Sequence, residues 1–296
     1  MIWKAFKLQH MPLRIIVTFF FLTFLLFGFT GSKKKEYAVG SVKALFISTS
    51  KIKSLTYQFY REERIDGKMV KNQSVIKMQR RPYKVYIKEI LPNQGLEVLY
   101  PHPTYDGKAL INPNGFPWVN LRLDPMSHLM RRNQHHTVLD GGFDYIVAVM
   151  EYSFYKHKTK INDMINYEGI TLFDGQTCDM ISFSNPSFDY INYTASKGES
   201  VSSIATKFRL NEYLILDKNE ELSLSDDLVE GQIIKLPSDY AARIHIYVDR
   251  DRQIPLMVKV YDEKGLFEKY EFKDVIIDPE IPQSAFTASF PDYQFN

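Results

Sequence analysis

Apolar and polar positions alternate over most of this chain, and the places where the alternation fails mark its helices. Leu55, Tyr57 and Phe59 alternate with polar neighbours, and Asp66-Gly67 then supplies a hairpin turn. A partner strand is predicted over 70–79. After Arg81-Pro82, Tyr83, Val85 and Ile87 fall on one face while Lys84, Tyr86 and Lys88 fall on the other. The pattern continues at 97–100 and 109–111, across Asp106-Gly107. Helical spacing appears at 36–50 (Val39, Val42, Leu45, Phe46) and at 143–155 (Ile146, Val147, Val149, Met150). Asp124-Pro125 opens a further helical segment carrying Met126, Leu129 and Met130.

Strands return at 170–173 and 177–183 around Asp174-Gly175, and again at 242–248, 256–261 and 269–275. Between these two groups, 192–237 interrupts a pattern that resumes directly after it. Without that insert the order is helix, antiparallel strands, a helical middle, then more strands joined by tight turns. This predicts an α+β fold, an antiparallel sheet curled round a helical layer. The tail, 276–296, with Pro279, Pro282, Pro291, Phe286, Phe290 and Phe295, is expected to close the sheet as an extended segment.

Composition adds three things. The chain has 296 residues, enough for one large domain or two smaller ones, and its 19 Tyr and 21 Phe suit pleated, half-buried surfaces. At the amino terminus Lys4, Lys7 and Arg14 flank an uncharged run, 15–29, followed by Thr30-Gly31-Ser32. That is the layout of an export signal. A membrane anchor through residues 12–30 is the alternative, although the run is shorter than the roughly 20 residues that span a bilayer. Lys33 to Lys35, just behind the run, would hinder translocation. Either way the body is expected outside the cytoplasm, in the periplasm or cell envelope. Finally, the formal charge of +2 includes three basic residues in the first 32, so the body carries −1 and gives no electrostatic case for nucleic acid. The single cysteine, Cys178, excludes an internal disulfide and is expected to be a buried strand residue.

Candidate chemistry is sparse. His135-His136 invites a metal reading, but neighbouring residues on a helix point about 100° apart and do not converge on one ion. The pair is expected to hydrogen-bond within the fold. No G-x-S-x-G, phosphate-cradling glycine loop or zinc-ligand spacing occurs, so no enzyme, metal or cofactor is expected. A curled sheet is able to enclose an apolar cavity lined by Tyr57, Phe59, Val85, Ile87 and Val98. The expectation is that these side chains simply fill the core.

Two resemblances sharpen the picture. Met78-Gln79-Arg80-Arg81-Pro82, Glu97-Val98-Leu99-Tyr100, Asn112-Pro113-Asn114-Gly115-Phe116-Pro117-Trp118 and Arg131-Arg132-Asn133-Gln134-His135-His136 resemble an uncharacterised exported domain family of LolA-like architecture. LolA-like proteins are periplasmic lipoprotein carriers built as a half-barrel. The likeness spans 39–190 and resumes at Arg243. It implies a fold, an envelope location and, as an alternative function, carriage of a lipid or lipoprotein acyl chain. The expected organisation is therefore a leader or anchor at 1–32, a LolA-like domain in two segments at 36–190 and 242–296, and a separate module at 192–238.

That module resembles the LysM domain, a small βααβ carbohydrate-binding unit. Tyr193-Thr194-Ala195 matches its first strand and Lys197-Gly198-Glu199-Ser200-Val201 its tight turn. Ser202 to Phe208 matches the first helix, and Asn211 caps the second. Asn219 takes the place of the characteristic asparagine, and Gly231-Gln232-Ile233-Ile234-Lys235-Leu236-Pro237 closes the unit. Ile204, Ala205 and Phe208 would form one buried stripe against Leu214, Ile215, Ile233 and Leu236. The resemblance implies binding of peptidoglycan or another N-acetylglucosamine-containing glycan between two loops. One comprises Gly198, Glu199, Ser200 and Val201, the other Leu216, Asp217, Lys218 and Asn219. Glu199, Ser200 and Val201 depart from the usual Asp-Thr-Leu, and Glu220-Glu221 follows Asn219 where the family has Pro. Those acids would oppose binding to an anionic wall.

Overall fold

The computed structural model of the chain describes residues 13–224 and 226–295, with side chains from residue 31 onward. Lys4, Lys7, and the side chains of Arg14 and of the 15–29 run, on which the signal-or-anchor expectation rests, lie outside the described residues. Among the described residues no helix is long and apolar enough to cross a membrane.

The first helix is longer than its pattern predicts. α1 spans Leu13–Lys51, continuing without a break through Thr30-Gly31-Ser32 into the predicted 36–50 stripe. β1 (Ser54–Ile65), β2 (Lys68–Arg80), β3 (Tyr83–Leu91), β4 (Glu97–Pro101), β5 (Ala109–Asn112) and β6 (Leu121–Leu123) follow as a meander. The helical middle holds α2 (His128–Arg131), α3 (Asp144–Lys156) and α4 (Ile161–Met164), after which β7 (Ile165–Phe173) and β8 (Gln176–Ser184) form a hairpin. The inserted stretch contributes β9 (Tyr190–Thr194), α5 (Val201–Phe208), α6 (Glu212–Leu216) and β10 (Ile233–Pro237). The chain then returns through β11 (Arg243–Asp249), β12 (Pro255–Asp262) and β13 (Gly265–Ile277).

Eleven strands make one open antiparallel sheet in the order β6-β5-β4-β3-β2-β1-β13-β12-β11-β8-β7, while β9 and β10 pair only with each other. β8 and β11 are therefore neighbours in the large sheet although the insert separates them in sequence. The two faces are covered differently. Val85 belongs to the core shared with Ala38, Val42 and Leu45 of α1 and Ile146, Val147 and Val149 of α3. The next residue, Tyr86, points the other way and stacks on Tyr293 of the tail at 3.6 Å, beside Leu99, Leu110 and Phe286. The tail closes that outer face, as the sequence predicts.

Cys178 is fully buried in β8, and burial together with the nearby Asp249 carboxylate pushes its thiol up to about 11. A water-soluble alkylating reagent at neutral pH is thus expected to leave the native protein unlabelled and to label it fully in denaturant. Labelling of the native chain at the denatured rate, followed by mass spectrometry, would contradict the placement.

The insert folds as its sequence directs. Ser200 caps α5 in a reciprocal box with Ser203, its hydroxyl accepting from the Ser203 amide at 3.2 Å. Asn211 Oδ1 accepts from the Tyr213 amide at 2.9 Å and starts α6. Val201, Ile204, Ala205, Leu210, Ile215, Leu228, Ile234 and Leu236 form its core. Two expected members fall elsewhere. Ile233 pairs opposite Thr194 and is 65 % exposed, so Ile234, one residue on, takes the inward position. Leu214 is fully buried in the core of the large sheet instead, because α6 turns that face away from its own module.

Candidate functional site

The concave face is open in one half and filled in the other. Around β7, β8 and β11, Val42 of α1 and Met150 and Phe154 of α3 pack onto Ile165, Ile181, Phe183, Ile244 and Ile246, leaving a void of only about 30 Å³. Over β1 to β5 and β13 the cover is the segment 113–146, and beneath it lies a cavity of about 670 Å³. All five residues singled out from the alternation, Tyr57, Phe59, Val85, Ile87 and Val98, line this cavity. Tyr57, Val85 and Val98 are at the same time buried in the core, as expected, whereas Phe59 and Ile87 are only partly buried, so the packed-core expectation is corrected for those two.

The physical reason lies in the cover. The pattern at Met126, Leu129 and Met130 predicts a helical segment, yet only the single turn α2 forms, and Met126 and Leu129 stay 48 % and 57 % exposed. Pro113, Pro117, Gly141 and Gly142 supply little side-chain bulk to occupy the space. Gly142 adopts φ +75°, and a Cβ there would sit 2.7 Å from Met78 Sδ, so only glycine lets the segment come down onto the sheet. Its amide donates to the Tyr57 hydroxyl at 2.8 Å, and the Tyr83 hydroxyl donates to the Val138 carbonyl at 2.7 Å. Those bonds hold the cover at its inner end. Towards the mouth the lining turns polar: Arg61 donates to Gln134 Oε1 at 2.9 Å, near Lys71, Asn72, Asn133 and Arg132.

The inserted module is docked beside this cavity through the histidine pair. His135 and His136 lie in a bend rather than a helix, so the helical-divergence argument does not apply to them. Both reach one carboxylate: His135 Nδ1 is 2.7 Å and His136 Nε2 3.4 Å from Glu268 Oε1. Asn211 Nδ2 donates to the same oxygen at 2.6 Å, and the Tyr240 hydroxyl donates to Glu268 Oε2 at 2.9 Å. Burial alone would raise the Glu268 carboxyl, but hydrogen bonds from the two histidines and their charge hold it well below the usual range. Burial works against the His136 cation, but the hydrogen bond to Glu268 together with the charges of Glu268, Asp140 and Glu63 outweighs it and raises the group. The ring of His135 stacks on Tyr213 of α6 at 4.7 Å and on Phe267 at 4.4 Å, and Arg131 pairs with Glu212. One residue, Asn211, therefore serves as helix cap and as the joint to the sheet. The sequence marks it only as a cap.

The eight proposed glycan-binding residues differ in what they present. Gly198 is exposed at φ +79°. Glu199 is tied to Tyr193 at 2.9 Å, Lys207 at 2.9 Å and the Ser196 amide at 2.9 Å, and those bonds hold its carboxyl down at about 2. The Ser200 side chain is spent on its cap, and Val201 is fully buried, offering backbone alone. On the second loop Leu216 is half-buried. Asp217 pairs with Lys264 at 2.5 Å, while Lys218 pairs with Glu263 at 2.7 Å and lies over the Tyr190 ring at 4.5 Å. Asn219 is buried and structural: its amide donates to the carbonyls of Ile215 and Lys235 and accepts from the Lys235 amide at 2.8 Å. The second loop is thus fixed to the β12–β13 hairpin of the large sheet.

No curated protein matches the chain. Among solved structures it is similar to a DUF1329 family protein from Desulfovibrio piger, at 10% identity over 85% of this chain and 98% of that one, with a TM-score of 0.33. It is also similar to the Mycobacterium tuberculosis lipoprotein LppX (10%, 83% and 98%, TM-score 0.40) and to a LolA superfamily protein from Nitrosomonas europaea (9%, 84% and 97%, TM-score 0.31). Residues 52–197 match the family described as protein of unknown function (DUF1571), and residues 193–237 match the LysM domain. The chain thus carries a segment similar to DUF1571, followed by one similar to the LysM domain, on and beside its curled antiparallel sheet.

Proposed function

We propose that this is an exported cell-envelope protein that acts by binding, holding an acyl chain of a lipid or lipoprotein in its cavity and a glycan on its LysM insert. The observation that carries the first half is the cavity. Its volume of about 670 Å³ falls within the roughly 300–1,000 Å³ of ligand sites. Its inner walls offer water few partners, which favours an apolar occupant. The polar mouth, with Arg61, Lys71 and Arg132, suits the head of an amphiphile. The second half is supported by the LysM match. N-acetylglucosamine-containing glycan, peptidoglycan foremost, would lie between Gly198, Glu199, Ser200 and Val201 on one side and Leu216, Asp217, Lys218 and Asn219 on the other. Val201 and Asn219 would contribute backbone groups only.

In this reading residues 36–190 and 242–296 form the carrier body and 192–238 the wall-binding module. The module is held at both ends, so the glycan site keeps a fixed position beside the cavity. The amino-terminal run either is removed after export or keeps the protein at the inner membrane.

Native mass spectrometry of the full chain, purified without detergent, tests the first half: co-purified acyl species are expected. A protein that emerges empty and takes up no fatty-acyl probe would sink it. Co-sedimentation with isolated sacculi tests the second half. Gly198→Val, which strains a left-handed turn, is expected to release the protein from the wall while leaving acyl uptake intact. Equal sedimentation of the variant and the parent would count against the assigned loop.

A further inference from the structure

The mouth of the cavity carries an apolar rim that nothing else in the fold covers. Among the described residues, Phe116 is 87 % exposed and Trp118 76 %, with Val119 at 57 % and Leu129 at 57 % close by in the chain. The rim is continuous with the cavity, since Phe116 and Leu129 also line it. The β3–β4 turn extends it: Leu91 is 56 % exposed, and Asn114 Nδ2 donates to the Gln94 carbonyl at 3.0 Å, tying that turn to the Phe116 loop.

These side chains are held out rather than left loose. The Trp118 amide donates to the Gly115 carbonyl at 2.6 Å, closing a tight turn that presents Phe116 and Trp118 together. Charge around the turn is mainly positive. Arg122 and Arg132 are exposed, and neither forms an ion pair among the described residues, Arg122 lying instead over the Tyr105 ring at 4.8 Å. Two acids lie by the rim: Asp124 accepts from the Met126 amide at 2.7 Å, and Glu89, beside the β3–β4 turn, accepts from the Asn93 amide at 2.9 Å.

We propose that this rim docks onto an anionic phospholipid surface, with Phe116 and Trp118 at headgroup depth, Arg122 and Arg132 on lipid phosphates and the cavity mouth facing the bilayer. Tryptophan and phenylalanine favour that depth because an apolar ring and a wet boundary are both satisfied there. Basic residues beside an apolar face add attraction to anionic lipid. Acyl carriage motivates the bilayer as occupant, but docking and carriage are separate events. The rim could dock while the cavity stays empty, and the cavity could fill in solution without the rim touching lipid.

Trp118 supplies a local readout, which matters because the apolar run at 15–29 would itself bring the full chain to vesicles. The chain's other tryptophan, Trp3, is replaced (Trp3→Phe), and the full chain is mixed with phosphatidylcholine–phosphatidylglycerol or pure phosphatidylcholine vesicles bearing brominated acyl chains. On the anionic vesicles, Trp118 emission is expected to shift to the blue and to be quenched severalfold more by lipid bromine than by aqueous iodide. Arg122→Glu with Arg132→Glu is expected to abolish both effects, although the chain still floats with the vesicles. An aqueous-like, unquenched Trp118 on vesicle-bound protein overturns the proposal, as does equal quenching in the double-glutamate variant. Concentration-dependent shielding of Trp118 without vesicles also overturns it, since the rim would then contact a second copy of the chain. Uptake of a fatty-acyl probe, measured on the same samples without vesicles, reports separately on the cavity.

Discussion

Replacing Glu268 with Gln is expected to lower the unfolding free energy by about 3 kcal/mol, the lower end of the cost of removing one partner from a buried ion pair. Glu268 is fully buried and accepts from His135, His136, Asn211 and Tyr240 at once. The cost stays at the lower end because His136 is able to shed its charge when the carboxylate is gone. That relief gives the effect a pH signature. In the parent, the His136 pKa is raised above 6.5, so its contribution is fully present below 6.5 and is lost as pH rises through the folded value. Glu268 is shifted the other way. Its contribution is present above 4.5 and is lost only under strongly acidic conditions, as pH falls through its lowered value. In the variant, His136 keeps its burial and loses the Glu268 hydrogen bond and charge, with only the weaker attraction of Asp140 and Glu63 remaining, so protonation there stabilises the fold less than in the parent. The penalty should therefore grow as pH falls from 8 to about 5, a direction set by the upward shift of His136 in the parent. Denaturant titrations of both proteins across that range decide it. A difference that shrank towards acid would mean that His136 is not held charged by Glu268. Because Asn211 reaches across from the LysM insert, the variant should also lose protection at α6, which amide exchange would register.

Much of this architecture is legible in the sequence, for reasons that also explain what is not. The alternation at Tyr57, Phe59, Val85, Ile87 and Val98 identifies the inward face of the sheet correctly, because side-chain direction in a strand is fixed by parity. Parity says nothing about what lies opposite, so the same pattern serves a packed core and an open cavity. Likewise Met126 and Leu129 show helical spacing, but period encodes a shared face, not whether that face meets the core or solvent. The LysM unit is readable because its turns require particular residues, Gly198 at positive φ and Asn211 at a cap. Its inward strand phase is less so: Ile233 and Ile234 are chemically equivalent, and only the register opposite Thr194 and Tyr193 chooses between them. The Glu268 cluster was out of reach altogether. Its members come from residues 135, 136, 211, 240 and 268, and no local pattern announces that a helix cap will face a strand carboxylate.

Filling the cavity separates binding from folding. Ile87→Trp is expected to weaken acyl-chain binding more than about 100-fold, since an indole that displaces about four methylenes forfeits about 3 kcal/mol at roughly 0.8 kcal/mol each. Stability should hardly change, because the ring enters space that no protein atom occupies next to Ile76 and Val98. The same substitution across the sheet makes the contrast. Ile246 points into the filled half, where only about 30 Å³ is free against Met150 and Phe154. Overpacking there is expected to cost about 1–3 kcal/mol, while acyl binding survives in the fraction that folds. Thermal melts and titration with a fluorescent fatty-acyl probe, run on both variants of the full chain, read the two effects independently. If Ile87→Trp destabilised the protein as much as Ile246→Trp, the space over β1 to β5 would behave as core, and the carrier reading would lose its physical basis. If it left acyl binding intact, the ligand would sit elsewhere. Binding to sacculi should be indifferent to either substitution, because the LysM loops share no residue with the lining of either half.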